Sequence, residues 1–275
     1  MSNRIASWAP LATTALAMAG CSLFAGGSAI GTAACPALRQ DVDAFAASYA
    51  ANPQVNAKLR AFVQATKDLA GISGQMEAEA TAACQRIGAD LGLAPGQMAA
   101  RNGPGGGAEG ACDAVAAHIS GILRQGVQVR ATVQPPVCQA SAQAQARCAG
   151  SCDVANDAEC RASCQAHADV NASCTPPLVV VQGDFQNPMA MRLVASLQAH
   201  LPTLVHAQMA LGQRLLQDAQ VIAHIGAELP RMVGDAGAAA LACIAAAADF
   251  SAAASMRIQV SVRASVRVTG QVGAG

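Results

Sequence analysis

The chain has 275 residues with 17 basic and 17 acidic side chains, so its formal charge is zero. That balance leaves no electrostatic footprint for nucleic acid and argues against it as a partner. Hydrophobic residues reach 53%, yet aromatics are only 3% and alanine supplies much of the apolar count. A core of Ala, Val and Leu buries less area per residue, at about 25 cal/mol per Å2, so covalent stabilisers are expected.

Residues 1–20 (MSNRIASWAPLATTALAMAG) have the form of a secretory signal: one early cation, Arg4, then an apolar run and small residues before Cys21. Met18-Ala19-Gly20-Cys21 resembles a bacterial lipobox, in which the cysteine becomes the lipidated, acylated N-terminus. By the same resemblance, Ser22 suggests retention at the outer membrane. Two rivals stand beside this reading. One is ordinary cleavage near Ala33-Ala34. The other is an uncleaved membrane anchor, since no charge falls between Ile5 and Leu38; Pro10 and the Ala/Gly/Ser/Thr content count against it. All three put the body outside the cytoplasm, anchored at the outer membrane in the leading reading and secreted or periplasmic in the second. Residues 21–34 read as a lipidated cysteine and flexible tether.

A first unit is expected over 35–137. Pro36 to Ala50 reads as a short helix. From Pro53, Val55, Leu59, Phe62, Thr66, Leu69, Ser73, Met76, Ala80, Ala83 and Ile87 recur at heptad spacing, the signature of one packed helix face. Gly71 and Gly74 suggest a local bend. Leu91 to Gly110 is loop by composition, and a second helix is predicted over Ala111–Leu123. GVQVRATVQPP then alternates as a strand, with Val127, Val129, Ala131 and Val133 on one face.

A cysteine-rich insert occupies 138–177, and a second unit follows over 178–275. Its parts are a short strand at Leu178–Gln182 and a long helix from Asn187, kinked at Pro202. An alanine-rich helix over Asp235–Ala254 and a final alternating strand, MRIQVSVRASVRVTG, complete it. Ala111 through Val129 aligns without gaps to Ala242 through Val260, matching Cys112 with Cys243 and Ser120 with Ser251. Asn52-Pro53 likewise matches Asn187-Pro188. The expected fold is α+β, mainly α: a pseudo-duplicated bundle of long helices on a small antiparallel ribbon from 126–134 and 256–269, with 178–182 as a candidate third strand.

Eleven cysteines are present; processing at Cys21 leaves ten, an even set that reads as a disulfide framework. Within RCAGSCDVANDAECRASC, residues four apart share a helix face, so two antiparallel turns would stack Cys148 on Cys164 and Cys152 on Cys160. Structural zinc and thiol redox chemistry are the weaker readings, because the compartment favours oxidation and no C-x-x-C in a βαβ setting occurs. Cys84 and Cys112 flank the glycine-rich loop, Cys138 and Cys174 bracket the insert, and Cys35 and Cys243 pair by elimination.

Catalytic signatures are sparse. His118, His167, His200, His206 and His224 form no i,i+4 pair and no H-E-x-x-H. Glu77 and Glu79 would face different directions on a helix. No G-x-S-x-G, Walker or S-x-x-K motif occurs, and GPGGGAEG lacks the following lysine of a phosphate loop. The best binding feature is the last strand, whose outer face would show Arg257, Arg263 and Arg267; its ordinary reading is a solvated face that blocks edge pairing, its sharper one contact with anionic lipid headgroups or an acidic polymer.

The lipobox, "CPAL" at Cys35, helical repeats ending in "PPVC" and the C-x-x-x-C insert together resemble a group of cysteine-rich envelope lipoproteins of myxobacteria-type bacteria, with a shorter insert here. The resemblance spans most of the mature chain and implies an envelope location with a non-enzymatic role. It implies no active site, cofactor or metal. The expected function is therefore structural or interactive, with the membrane and an envelope protein or anionic polymer as partners. The alternatives are a binding module for an anionic envelope ligand through the three arginines and a thiol-disulfide oxidoreductase. The insert, the one part without a counterpart in the repeat, is the first place to look for a specific surface.

Overall fold

The computed structural model describes residues 32–150, 157–183, 187–212 and 237–273, with Leu215, Ala219, Ile222 and 225–227 between the last two stretches. The fold is α+β, mainly α. Helix α1, Pro53–Asp90, is its longest element, 38 residues without interruption, or about 57 Å at ~1.5 Å per residue. Asn52 caps it by accepting from the Gln54 and Val55 amides, and Pro53 occupies the first turn, where its missing N–H costs nothing. Leu59, Phe62, Thr66, Leu69, Ser73, Met76, Ala80, Ala83 and Ile87 are all buried. The helix continues without interruption through Gly71 and Gly74.

Helix α2, Gly106–Leu123, begins earlier than its sequence suggests. Gly105 caps it at φ 81°, and a Cβ there would lie 2.6 Å from Val260 Cβ. A Cβ on Gly110 would lie 2.0 Å from the Ala99 carbonyl oxygen. The glycine run thus lets loop 99–101 and a later helix press against α2. Strands β1, Val129–Gln134, and β4, Leu178–Gly183, pair antiparallel with Ala131 opposite Val181. Between them lies the insert: β2, Cys138–Gln139, pairs with β3, Ser173–Cys174, around helices α3, Ala142–Ala149, and α4, Ala158–Val170.

Helix α5, Pro188–Val205, is capped by Asn187 as α1 is by Asn52. Pro202 lies inside it, and a π-helical stretch, His206–Gly212, follows. Leu215, Ala219, Ile222 and Ile225 continue as buried helical positions.

The last element corrects the sequence reading. Helix α6 runs from Ala238 to Gln271, and the segment 256–269 is its C-terminal half rather than a strand. The ribbon is therefore β1 with β4 alone, without 256–269. Ile258, Ser261, Ala264, Ser265, Val268 and Thr269 are buried, a 3.6-residue period in which small polar residues serve as seam positions. The segment 35–50 is likewise no helix; it forms two short 3-10 turns, Pro36–Leu38 and Ala44–Ala46, joined by extended chain. The two halves share capped long helices but diverge where the first has a strand and the second continues as helix.

Two apolar clusters lie along α1. One joins its C-terminal half to α2, the ribbon, α5 and the end of α6. The other joins its N-terminal half to the 35–50 strap, Leu215 through Ile225, and the start of α6. A third, smaller cluster seats the insert: Cys148, Cys160 and Cys164 pack on Ala61 beside Phe45. By length and hydropathy α6 would suffice to cross a membrane, but here it packs against α1 and α2.

Candidate functional site

The cysteines come first. Cys35–Cys243, Cys84–Cys112, Cys138–Cys174 and Cys148–Cys164 are bonded, the pairs that spacing and elimination suggested. Cys160 is also disulfide-bonded. Cys21 and Cys152 lie outside the described residues. Among those residues no cluster of three or more His, Cys, Asp or Glu is arranged to hold a metal.

The arginines do not line one exposed strand. Arg257 sits 2.9 Å from Glu77 Oε2, and Glu77 Oε1 also accepts the Gly107 amide at 3.0 Å. One carboxylate therefore ties α1, the start of α2 and α6 together. Arg267 pairs with Asp113, which also takes Arg101 at 2.9 Å; the Asp113 hydrogen bond pushes the Arg267 pKa upward. Arg263 is exposed and makes no ion pair among the described residues. Two of the three are thus structural clips between helices.

The chemically richer place is a polar cleft of about 290 Å3 where the strap, α1 and the insert meet. From the strap come Gln40, Val42 and Phe45; from α1, Gln64 and Lys67; from the insert, Arg147 and His167. The strap is held by backbone acceptors: Lys67 Nζ donates to the Val42 carbonyl at 2.5 Å, Arg60 Nε to the Ala47 carbonyl at 2.5 Å. Asp43 caps the second 3-10 turn through the Phe45 amide at 3.0 Å. The Cys35–Cys243 bond fixes the strap's start to α6.

Charges around the cleft are matched in pairs. Arg39 forks onto Asp41 at 3.1 and 3.0 Å. Arg147 meets Asp43 at 2.8 Å and lies 5.9 Å from the centre of the Phe45 ring. His167 Nδ1 is 2.5 Å from Asp68 Oδ2, and Gln64 Nε2 donates to Asp68 Oδ1 at 2.8 Å. Phe45 packs edge-on against the His167 ring at 5.8 Å. Lys67, only 5% exposed, has the Val42 carbonyl and no carboxylate within ion-pair distance among the described residues.

An Asp–His pair orients an imidazole as a base, but the described lining holds no hydroxyl or thiol for it to activate. Sequence reasoning passed over Lys67, Asp68 and Arg147 and treated His167 as unremarkable, since the Asp68 and His167 partners lie 99 residues apart. His118 is half-buried, and His200 Nε2 sits 3.4 Å from Asp90 on the far side of α1's length. Comparison with protein-family models, curated proteins and solved structures finds no match to this chain.

Proposed function

We propose that this is a disulfide-stapled envelope protein with a structural or interaction role, tethered at the bacterial outer membrane through a lipidated Cys21, and not an enzyme. The observation that carries the reading is that all nine described cysteines are in disulfides, a state that persists in oxidising, extracytoplasmic compartments. The lipobox resemblance adds the tether, and the cysteine-rich lipoprotein resemblance adds the envelope. A thiol-disulfide oxidoreductase is the weaker reading, because the sequence carries no C-x-x-C in a βαβ setting. Engagement of Arg257 and Arg267 in ion pairs removes most of the support for an anion-binding arginine face.

The test is the intact mass of membrane-extracted protein before and after alkylation in denaturant without reductant. The expected result is a diacylglyceryl adduct on Cys21 and no alkylated thiol. An unlipidated product removes the tether, and alkylation at Cys148 or Cys160 overturns the disulfide scaffold.

A further inference from the structure

We propose that the cleft between the strap, α1 and the insert binds a small monocarboxylate bearing a neighbouring amide N–H, with Lys67 as its counter-ion. The inference deepens the interaction half of the envelope reading, and its test is separate from lipidation.

The case begins with the charge census. Arg39, Arg147 and His167 each have a carboxylate partner, on Asp41, Asp43 and Asp68. Lys67 does not, although it is nine-tenths buried and lines the cleft. An ammonium withdrawn from water with one carbonyl acceptor leaves donors and charge unmatched, an arrangement that is costly unless a counter-ion arrives. Its three donors exceed the single Val42 carbonyl it reaches.

The surroundings then narrow the ligand. A single unmatched cation suits a single negative charge. Asp41 and Asp43 line the same space, so a dianion such as phosphate meets about twice the repulsion that a monocarboxylate does. Gln64 gives its amide donor to Asp68, and its carbonyl oxygen receives nothing among the described residues; that oxygen suits a ligand N–H. Phe45 and Val42 supply an apolar wall. The volume, about 290 Å3, matches about ten waters at ~30 Å3 each, enough for an N-acylated amino acid or the last residue of a peptide with its free C-terminus. Both sources share one chemistry.

Titration of the full-length, oxidised protein with N-acetylglycine, acetyl-triglycine with a free C-terminus, the corresponding amides, and inorganic phosphate tests this. Amide shifts are followed over Gln40–Phe45 and around Lys67. Saturable binding of a free acid, weakened at least about tenfold by amidation and about tenfold in Lys67→Gln, is expected; each tenfold is about 1.4 kcal/mol. Preference for acetylglycine assigns a free small acid, and preference for the longer acid assigns a chain terminus. Equal response to acid and amide, no saturable binding, or tighter binding of phosphate overturns the proposal. The acid-against-amide comparison uses unaltered protein, so the result stands even if the variant misfolds.

Discussion

Tyr49 is the only tyrosine in the chain, and burial pushes its pKa up to about 12. Its amide donates to Asn56 Oδ1 at 2.7 Å, whereas its hydroxyl is buried without a partner among the described residues. Withdrawing the phenol from water disfavours phenolate, which is the direction observed. The consequence for stability has a definite sign. The unfolded phenol ionises near about 10, so between there and about 12 the unfolded chain has released a proton that the folded chain retains. Ionisation then favours unfolding, and the contribution present below the unfolded pKa is lost as pH rises through the folded one. Ultraviolet titration of tyrosinate should give a midpoint about 12 for folded protein and about 10 in denaturant; a folded midpoint at the denatured value would remove the buried phenol. At this scale little of the cleft was legible. Lys67 and Asp68 look like solvated charges beside a heptad stripe, and only the covering strap and insert turn them inward.

Elements differ in how openly they were written. Helix α1 announced itself because its seam uses Leu, Phe, Met and Ile at alternating steps of four and three. The C-terminal half of α6 did not. Ile258, Val260 and Val262 alternate with polar residues for a few positions, enough to imitate a strand, while the true seam passes through Ser261, Ala264, Ser265 and Thr269. Small polar residues allow close helix contact yet score as solvent-facing in a hydropathy pattern. The glycines of the α2 entry tell a similar story: composition read them as loop, but close approach explains three of them, Gly105, Gly106 and Gly110. Gly110→Ala should lower stability by about 1–3 kcal/mol through overpacking, because its Cβ would meet the Ala99 oxygen at 2.0 Å. Gly96→Ala, with nothing within 4 Å of the added carbon, is the control. Denaturant melts of the two variants check this, and equal midpoints would refute it.

For the whole molecule, α1 and α6 run through both larger apolar clusters, and the disulfides pin their surroundings from several sides. The bridge with the longest reach, Cys35–Cys243, spans 208 residues, so it joins the head of the strap directly to α6. That connection gives the protein a mechanical property. Tension applied at the N-terminal side of Cys35 passes through a covalent bond into the first turns of α6 and bypasses the strap, which would otherwise peel from α1 one contact at a time. Stretched by its two ends, the oxidised chain should withhold the contour length of those 208 residues, about 700 Å at ~3.4 Å per residue, and release it only after reductant is added. Full extension without reductant would contradict it. A protein built this way can be held under load by its leading end while the cleft beneath the strap keeps its shape.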